Sequence, residues 1–264
     1  MKKNNDISQE IFIKKYKQEQ ILISLARFMV FAGFLIIWES LSYFKIIDSF
    51  FFSSPSGIVL LFIDMCKNFE IFIHTGITLY ETFLSFLIVN IVSIFIAILL
   101  LSFNTLSKIT EPYLVILNSL PKSALAPLII VWLGTGSRTI IVAGISVAVF
   151  GSIINLYTGF LQVDKEKLKL IRTLGGNKKD ELLKVIVPSS VPIIISNMKV
   201  NIGLSLVGVI IGEFLAARKG LGYLIIYGSQ IFQLDLLILA IIILCVIALL
   251  LYKSIDYMET IYKK

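Results

Sequence analysis

Six apolar segments, each of about 20 residues, dominate this chain and limit the folds it can adopt. A helix needs roughly 20 consecutive apolar residues to cross a bilayer core, and 57% of the 264 residues are hydrophobic. The segments lack the alternation of apolar and polar residues that a transmembrane β-barrel requires. We therefore predict an all-α, polytopic membrane protein, in which each span satisfies its own backbone hydrogen bonds. The predicted spans cover about residues 21–42, 76–102, 112–133, 139–160, 190–212 and 235–252.

The distribution of positive charge predicts how the spans are oriented. The chain has 24 Lys and Arg residues and a net charge of +7. Sixteen of these cations fall on one side of the predicted membrane and five on the other, so the positive-inside rule places both termini in the cytoplasm. This pattern indicates contact with membrane lipid rather than nucleic acid. Residues 1–20 are expected to form a polar cytoplasmic tail, and the first span, which lacks a small-residue cleavage site, is expected to be retained.

The sequence offers few groups for catalysis or metal binding. It has one histidine, His74, and its two cysteines, Cys66 and Cys245, fall on opposite sides of the predicted membrane. An intramembrane enzyme would need a nucleophile and base, paired acids or a metal cluster at membrane depth. We therefore predict no catalytic, cofactor or metal site. An ion-driven secondary transporter, which should show repeats and matching broken helices, is a second alternative.

Polar residues share one face in two of the predicted spans. On span five, Asn197, Asn201 and Ser205 lie on a common face with small residues. On span two, Thr82 lies on a similar face with Glu81 at its edge, and an acid within a span should face protein or water because exposure to lipid is costly. Two interpretations stay open: these faces pack closely against other helices, or they line a water-filled translocation path.

Span three contains two prolines in the run "LNSLPKSALAPLIIVWLGTG". Pro121 and Pro127 each remove a backbone donor, so the helix is expected to kink or break. A packing kink is one interpretation. The other is irregular backbone that lines a cavity, and on that interpretation Pro121 joins the candidate path.

The segment of residues 161–189, between spans four and five, has the pattern of two short helices. From Asp164 to Leu174, apolar residues occupy one half of a helical wheel and charged residues most of the other. The paired glycines can end the first helix in a left-handed backbone conformation. Asn177 can then cap a second helix over about residues 178–187, and Pro188 separates that helix from span five. Both helices have apolar faces and no place in the bilayer, which predicts a partner on the cytoplasmic side. The residues of this candidate docking surface are Leu168, Leu170, Ile171, Leu174, Gly175, Gly176, Leu182, Val185 and Pro188.

The run "RTLGGNKKDELLKVIVPSSVP" in this segment resembles the coupling loop, or EAA motif, of bacterial ABC importer permeases. Gly175, Val185 and Pro188 occupy the positions of the glycine, the aliphatic residue and the proline of that motif. Downstream, "GEFLAARKGLG" is similar to the segment after span five in the same family, with Glu213 matching. The double-proline run of span three resembles the nitrate, sulfonate and taurine branch.

The resemblance implies a six-helix type I importer permease of the bacterial inner membrane. Its coupling loop would dock on a cytoplasmic ABC ATPase, a second copy would complete a homodimer, and an extracytoplasmic solute-binding protein would deliver the solute. ATP would bind to the ATPase, and this sequence has no Gly-x-x-x-x-Gly-Lys-Ser/Thr phosphate loop. The implied solute is a small organic anion or zwitterion, such as an aliphatic sulfonate, taurine or nitrate. A pyrimidine precursor of thiamine, or another small ring compound, is the alternative.

Three positions depart from the pattern of this family. Lys169 stands where the motif has its acidic residue, Glu81 stands where the branch usually has a basic residue, and Ser85 replaces a glycine. If the acid of the motif supports a charge contact with the ATPase, the resemblance implies that this contact is reversed or moved here.

Overall fold

The computed structural model describes residues 2–48 and 52–262, with side chains described from Tyr16 onward, and this part of the chain consists of helices and short connections. Met1, Lys263 and Lys264, which belong to the predicted terminal segments, lie outside the described residues. The helices are α1 (Lys2–Tyr43), α2 (Pro55–Lys67), α3 (Glu70–Ser102), α4 (Asn104–Ser119), α5 (Lys122–Leu133), α6 (Ser137–Leu161), α7 (Lys165–Thr173), α8, α9 (Val191–Ala216), α10 (Leu221–Gln230) and α11 (Leu234–Tyr262). α8 comprises three consecutive pieces, Lys178–Asp180, the π-helical Glu181–Ile186, and Val187–Ser189.

Within the described residues, five helices are long and apolar enough to cross a membrane by themselves. They are α1, α3, α6, α9 and α11. A sixth crossing is possible if α4 and α5, which are bent by 96° relative to each other, form one broken span. The predicted all-α polytopic fold is confirmed.

The bend in the third predicted span lies at Leu120 and Pro121, between α4 and α5. Leu120 has extended backbone (φ −62°, ψ 139°), the conformation that a following proline favours. Pro127 lies inside α5 and does not end that helix. Of the two expected breaks, only the one at Pro121 occurs.

Several boundaries differ from those that hydropathy suggested. Residues 2–20, expected as a separate tail, continue α1 as helix, because Lys, Glu and Gln are good helix formers whether or not lipid surrounds them. α11 likewise runs ten residues beyond residue 252, to Tyr262. The hydropathy pattern does not predict α10, which follows a turn at Gly220. Ser54 caps α2 by accepting a hydrogen bond from the Gly57 N–H at 3.1 Å.

The centre of the bundle is the contact of α3, α6 and α9. Val89, Ala148 and Leu156 are fully buried there. Gly208 brings α9 so close to α6 that a Cβ at this position would lie 2.8 Å from the Gly144 Cα. In contrast, the apolar stretch of α1 has no buried residue, so this helix lies at the periphery. Small residues at helix contacts are the usual means of close packing in lipid.

Candidate functional site

The junction of α7 and α8 is fixed by local hydrogen bonds. α7 ends in a left-handed turn, with Gly175 at φ +83° and the Gly176 N–H bonded to the Ile171 C=O at 2.9 Å. Asn177 then begins α8 with a capping box, in which its Oδ1 accepts from the Asp180 N–H at 3.0 Å and its N–H donates to Asp180 Oδ2 at 3.0 Å. The angle between the two helices is therefore set by residues 175–180.

A bidentate ion pair holds α7 against α8. Arg172 Nε lies 2.5 Å from Glu181 Oε1, and Arg172 Nη2 lies 3.1 Å from Glu181 Oε2. Arg172 lowers the pKa of the Glu181 carboxyl below its ordinary range, and Glu181 raises the pKa of Arg172. Lys184 similarly lowers the pKa of Asp180, 2.8 Å away. These acid contributions are complete above the ordinary carboxyl pKa and are lost only as the pH falls through the lowered values.

The predicted docking surface divides into an inward and an outward set. Val185 and Ile186 are buried, and Leu168 and Leu182 pack with Phe160 at the ends of the spans. Ile171 and Gly176 are half-buried. Of the predicted residues, Leu170 and Leu174 point outward with exposures of 59% and 75%, together with Gly175 and Pro188. Leu183, which the prediction did not include, joins this outward set with 56% of its surface exposed.

Pro188 does not separate α8 from α9 as the sequence suggested. The chain remains helical through residue 189, and the Ser190 N–H still donates to the Ile186 C=O at 3.0 Å. The π-helical stretch Glu181–Ile186 widens the helix just before the proline, and a wide turn is one way to accommodate a missing donor. A single residue, Ser190, therefore joins α8 to α9.

Inside the bundle, five polar side chains form a connected seam between α3, α6 and α9. We call Asn90, Ser152, Asn155, Asn197 and Asn201 the polar seam. Asn155 donates to Asn197 Oδ1 at 3.0 Å, Asn197 donates to Ser152 Oγ at 2.7 Å, and Asn201 donates to both Ser152 Oγ and Asn90 Oδ1 at 2.9 Å. Asn90, Ser152 and Asn155 were not singled out in the sequence, although an asparagine within an apolar span is itself a signal.

The candidate path residues of span five lie within the bundle. Asn197, Asn201 and Ser205 are at most 2% exposed, which supports the packing interpretation, and their place on a translocation path stays a prediction. The Ser205 Oγ and Thr82 Oγ1 atoms are buried without a hydrogen-bond partner. Pro121 is apart from them, exposed at the bend between α4 and α5.

At the predicted outer end of the bundle, Glu213 anchors the turn that begins α10. Glu213 is fully buried; its Oε1 accepts from Thr78 Oγ1 at 2.7 Å, and its Oε2 accepts from the Gly222 N–H at 2.5 Å. Gly220, at φ +120°, lies against the same carboxyl, and its N–H donates to His74 Nδ1 at 3.0 Å. His74 is thus a structural partner of this turn.

Glu81 lies beside Glu213 and lines an open cavity of about 450 Å³. α3 supplies one wall of this cavity, the start of α6 another, and residues 217–219 the third. Glu81 itself is 1% exposed. Among the described residues, no group of three or more His, Cys, Asp or Glu side chains could hold a metal ion.

Comparison with known proteins places these features in a family context. The sequence model of the family described as binding-protein-dependent transport system inner membrane component matches residues 89–262. The chain is 30% identical over 224 residues to a probable ABC transporter permease protein of Haemophilus influenzae, covering 85% of this chain and 91% of that protein. It is 27% identical over 216 residues to the putative aliphatic sulfonates transport permease protein SsuC of Bacillus subtilis, covering 82% and 78%.

A solved structure has the same fold. The inward-facing MetNI methionine ABC transporter superposes with a TM-score of 0.61 at 18% identity, covering 70% of this chain and 92% of the matched one. At this identity the likeness supports the fold alone.

Proposed function

Because the chain belongs to the family of binding-protein-dependent transport system inner membrane components, and is thus an integral membrane permease subunit of an ABC importer rather than an enzyme, we propose that it carries a small organic anion or zwitterion. An extracytoplasmic solute-binding protein delivers the solute. ATP is bound and hydrolysed on a separate ATPase, and this chain holds no cofactor. Both termini and the α7–α8 pair lie in the cytoplasm, where most of the Lys and Arg residues fall.

The observation that carries the proposed docking on a separate ATPase is the outward set of apolar side chains on α7 and α8. Leu170, Leu174 and Leu183 are more than half exposed, and the α7–α8 pair connects α6 to α9 on the side of the membrane that the charge pattern predicts to be cytoplasmic. Leucine side chains presented in this way on a rigid helix pair suit a hydrophobic cleft in a partner protein. The cleft belongs to the ATPase, and its closure is passed through α8 into α9.

Exposed apolar surface on the chain supports two further contacts, one with a second copy of the chain and one with lipid. Val131 and Trp132 at the end of α5 are 82% and 72% exposed, and a second copy of the chain covers part of the α4–α5 region in a homodimer. Membrane lipid surrounds α1. The likeness to a putative sulfonate permease over most of the chain supports a solute that carries a sulfonate or a similar acidic group.

The docking is tested by expressing the chain with an ABC ATPase of its source organism and purifying the complex through the permease. Leu174→Asp places a charge on the outward surface and is expected to abolish recovery of the ATPase and uptake, while membrane insertion is unchanged. Thr173→Asp adds the same charge to the exposed neighbouring residue and serves as the matched control. Full recovery of the ATPase with Leu174→Asp would overturn the proposed docking.

A further inference from the structure

Glu81 is a buried acid that, within the described side chains, no neighbouring cation neutralises. It lies on α3, a membrane-spanning helix, and only 1% of its surface is exposed. Neither of its carboxyl oxygens makes a hydrogen bond of normal geometry, and the groups that face it are the Ser137 hydroxyl and the Glu213 carboxyl. An ionisable group held inside a span without a partner of opposite charge is costly and points to a function that needs it there.

The neighbouring acid increases that cost. Glu213 is fully buried and its two oxygens already accept hydrogen bonds from Thr78 and Gly222. No salt bridge joins Glu81 or Glu213 to a cation anywhere in the described part of the chain. Two adjacent carboxyls in a medium of low dielectric cannot both ionise unless a positive charge comes between or beside them. This charge must come from a proton or from a ligand.

The cavity that Glu81 lines has room for a ligand. Its volume is about 450 Å³, and Phe72 and Tyr80 supply aromatic walls. Arg218 and Lys219 line the same cavity and are exposed, so the site has a buried acid at one end and cations at its rim. Aromatic walls with a few polar groups of opposite sign suit an organic solute better than a bare metal ion.

We propose that Glu81 is the binding site for the cationic nitrogen of a small zwitterion, whose acidic group lies toward Arg218 and Lys219. The ammonium takes the place of the missing partner of the two acids. This inference rests on the proposed transport function for its biological role, and it narrows the solute from small organic anions and zwitterions to those that carry a protonated nitrogen beside the acidic group. Nitrate and simple sulfonates lack the group that Glu81 would bind.

Thermal unfolding of the full chain in lipid nanodiscs tests the site with two matched pairs of probes. Taurine is compared with isethionate, and β-alanine with 3-hydroxypropionate, because the members of each pair differ in an ammonium or a hydroxyl group. At saturation the ammonium compounds are expected to raise the Tm by about 2–4 °C, and the hydroxyl compounds to leave it unchanged. Glu81→Gln should remove the rise, whereas Glu111→Gln, at an exposed position, should keep it.

Equal responses to both members of each pair in the wild-type chain would overturn the proposal and leave the two acids holding only a proton. A preference for ammonium that survives in Glu81→Gln would overturn the assignment to Glu81. The comparison of the probe pairs on the wild-type chain tests the proposed ammonium site even if Glu81→Gln does not fold. Recovery of the ATPase is measured on the same preparations, so a chain that discriminates between the probes but binds no ATPase would refute the transport role and not the site.

Discussion

Arg172 and Glu181 join the two loop helices through a bidentate ion pair, with Nε to Oε1 at 2.5 Å and Nη2 to Oε2 at 3.1 Å. The Glu181 side chain is 10% exposed and that of Arg172 is 65% exposed, so the pair is partly screened by solvent. Planar, two-point contacts of this kind fix an angle as well as supplying energy. The pair therefore sets how the outward leucines are presented.

We expect Glu181→Gln to weaken ATPase recovery by about two- to five-fold, the range of a partly exposed ion pair. The reversed pair, Arg172→Glu with Glu181→Arg, should recover most of the loss, and quantitative co-purification of the ATPase measures both. Because Arg172 lowers the pKa of Glu181, the wild-type contribution should persist on acidification until the pH falls below the ordinary carboxyl range. If the reversed pair is no better than either single variant, the ion pair is not what positions the helices.

Gly175 is the position of the loop where backbone conformation limits the residue most strongly. Its φ of +83° lies in the region that L-residues avoid. No other atom comes within 4 Å of a Cβ placed there, so backbone conformation, and not a steric clash, limits substitution at this position. Gly175→Val should cost about 1–2 kcal/mol or more locally and abolish uptake without preventing insertion. Gly175→Asn is the control, since Asn tolerates left-handed backbone, and it should retain most uptake. Equal loss in the two variants would point to a contact of Gly175 rather than its conformation.

The sequence was sufficient where the cause is local. Pro121 lacks an N–H and the helix breaks there, and Asn177 caps α8 with its own neighbours. The sequence alone did not predict contacts between helices that are far apart in the chain. Asn90 and Asn201 are 111 residues apart and meet only because of the packing of α3 on α9, and the adjacency of Glu81 and Glu213 has the same origin. The helical wheel likewise predicts one apolar face on α7. It does not show that Leu168 on this face is covered by the spans while Leu170 remains exposed.

Substitution of Asn201 tests whether the polar seam packs the helices together or lines a translocation path. Its Nδ2 donates to both Asn90 and Ser152, so Asn201→Leu should destabilise the chain by about 0.5–2 kcal/mol, the range of interhelical hydrogen bonds in membranes. Unfolding in graded SDS measures this loss. The double variant with Asn90→Leu should cost less than the sum of the two, because the second change removes the unpaired partner.

The exposed Asn68 provides the control, and Asn68→Ala should change stability little. If Asn201→Leu stops uptake of the solute while the unfolding curve is unchanged, the residue belongs to the path and the packing interpretation fails.

We expect the turn before α10 to tolerate an added methyl group poorly. At Gly220 the backbone has φ +120°, and a Cβ would overlap the buried Glu213 carboxyl. Gly220→Ala must therefore strain the backbone and displace an acid that holds Thr78 and Gly222, and we expect a loss of about 3 kcal/mol or more. Gly203→Ala is the matched control, because that glycine lies within α9 with nothing within 4 Å of its Cβ position, and the same substitution there should stabilise the helix by about 0.5–1 kcal/mol. Tm measurements on both variants give the comparison, and a Gly220→Ala chain that unfolds at or above the wild-type temperature would contradict the role of Glu213 as the anchor of this turn.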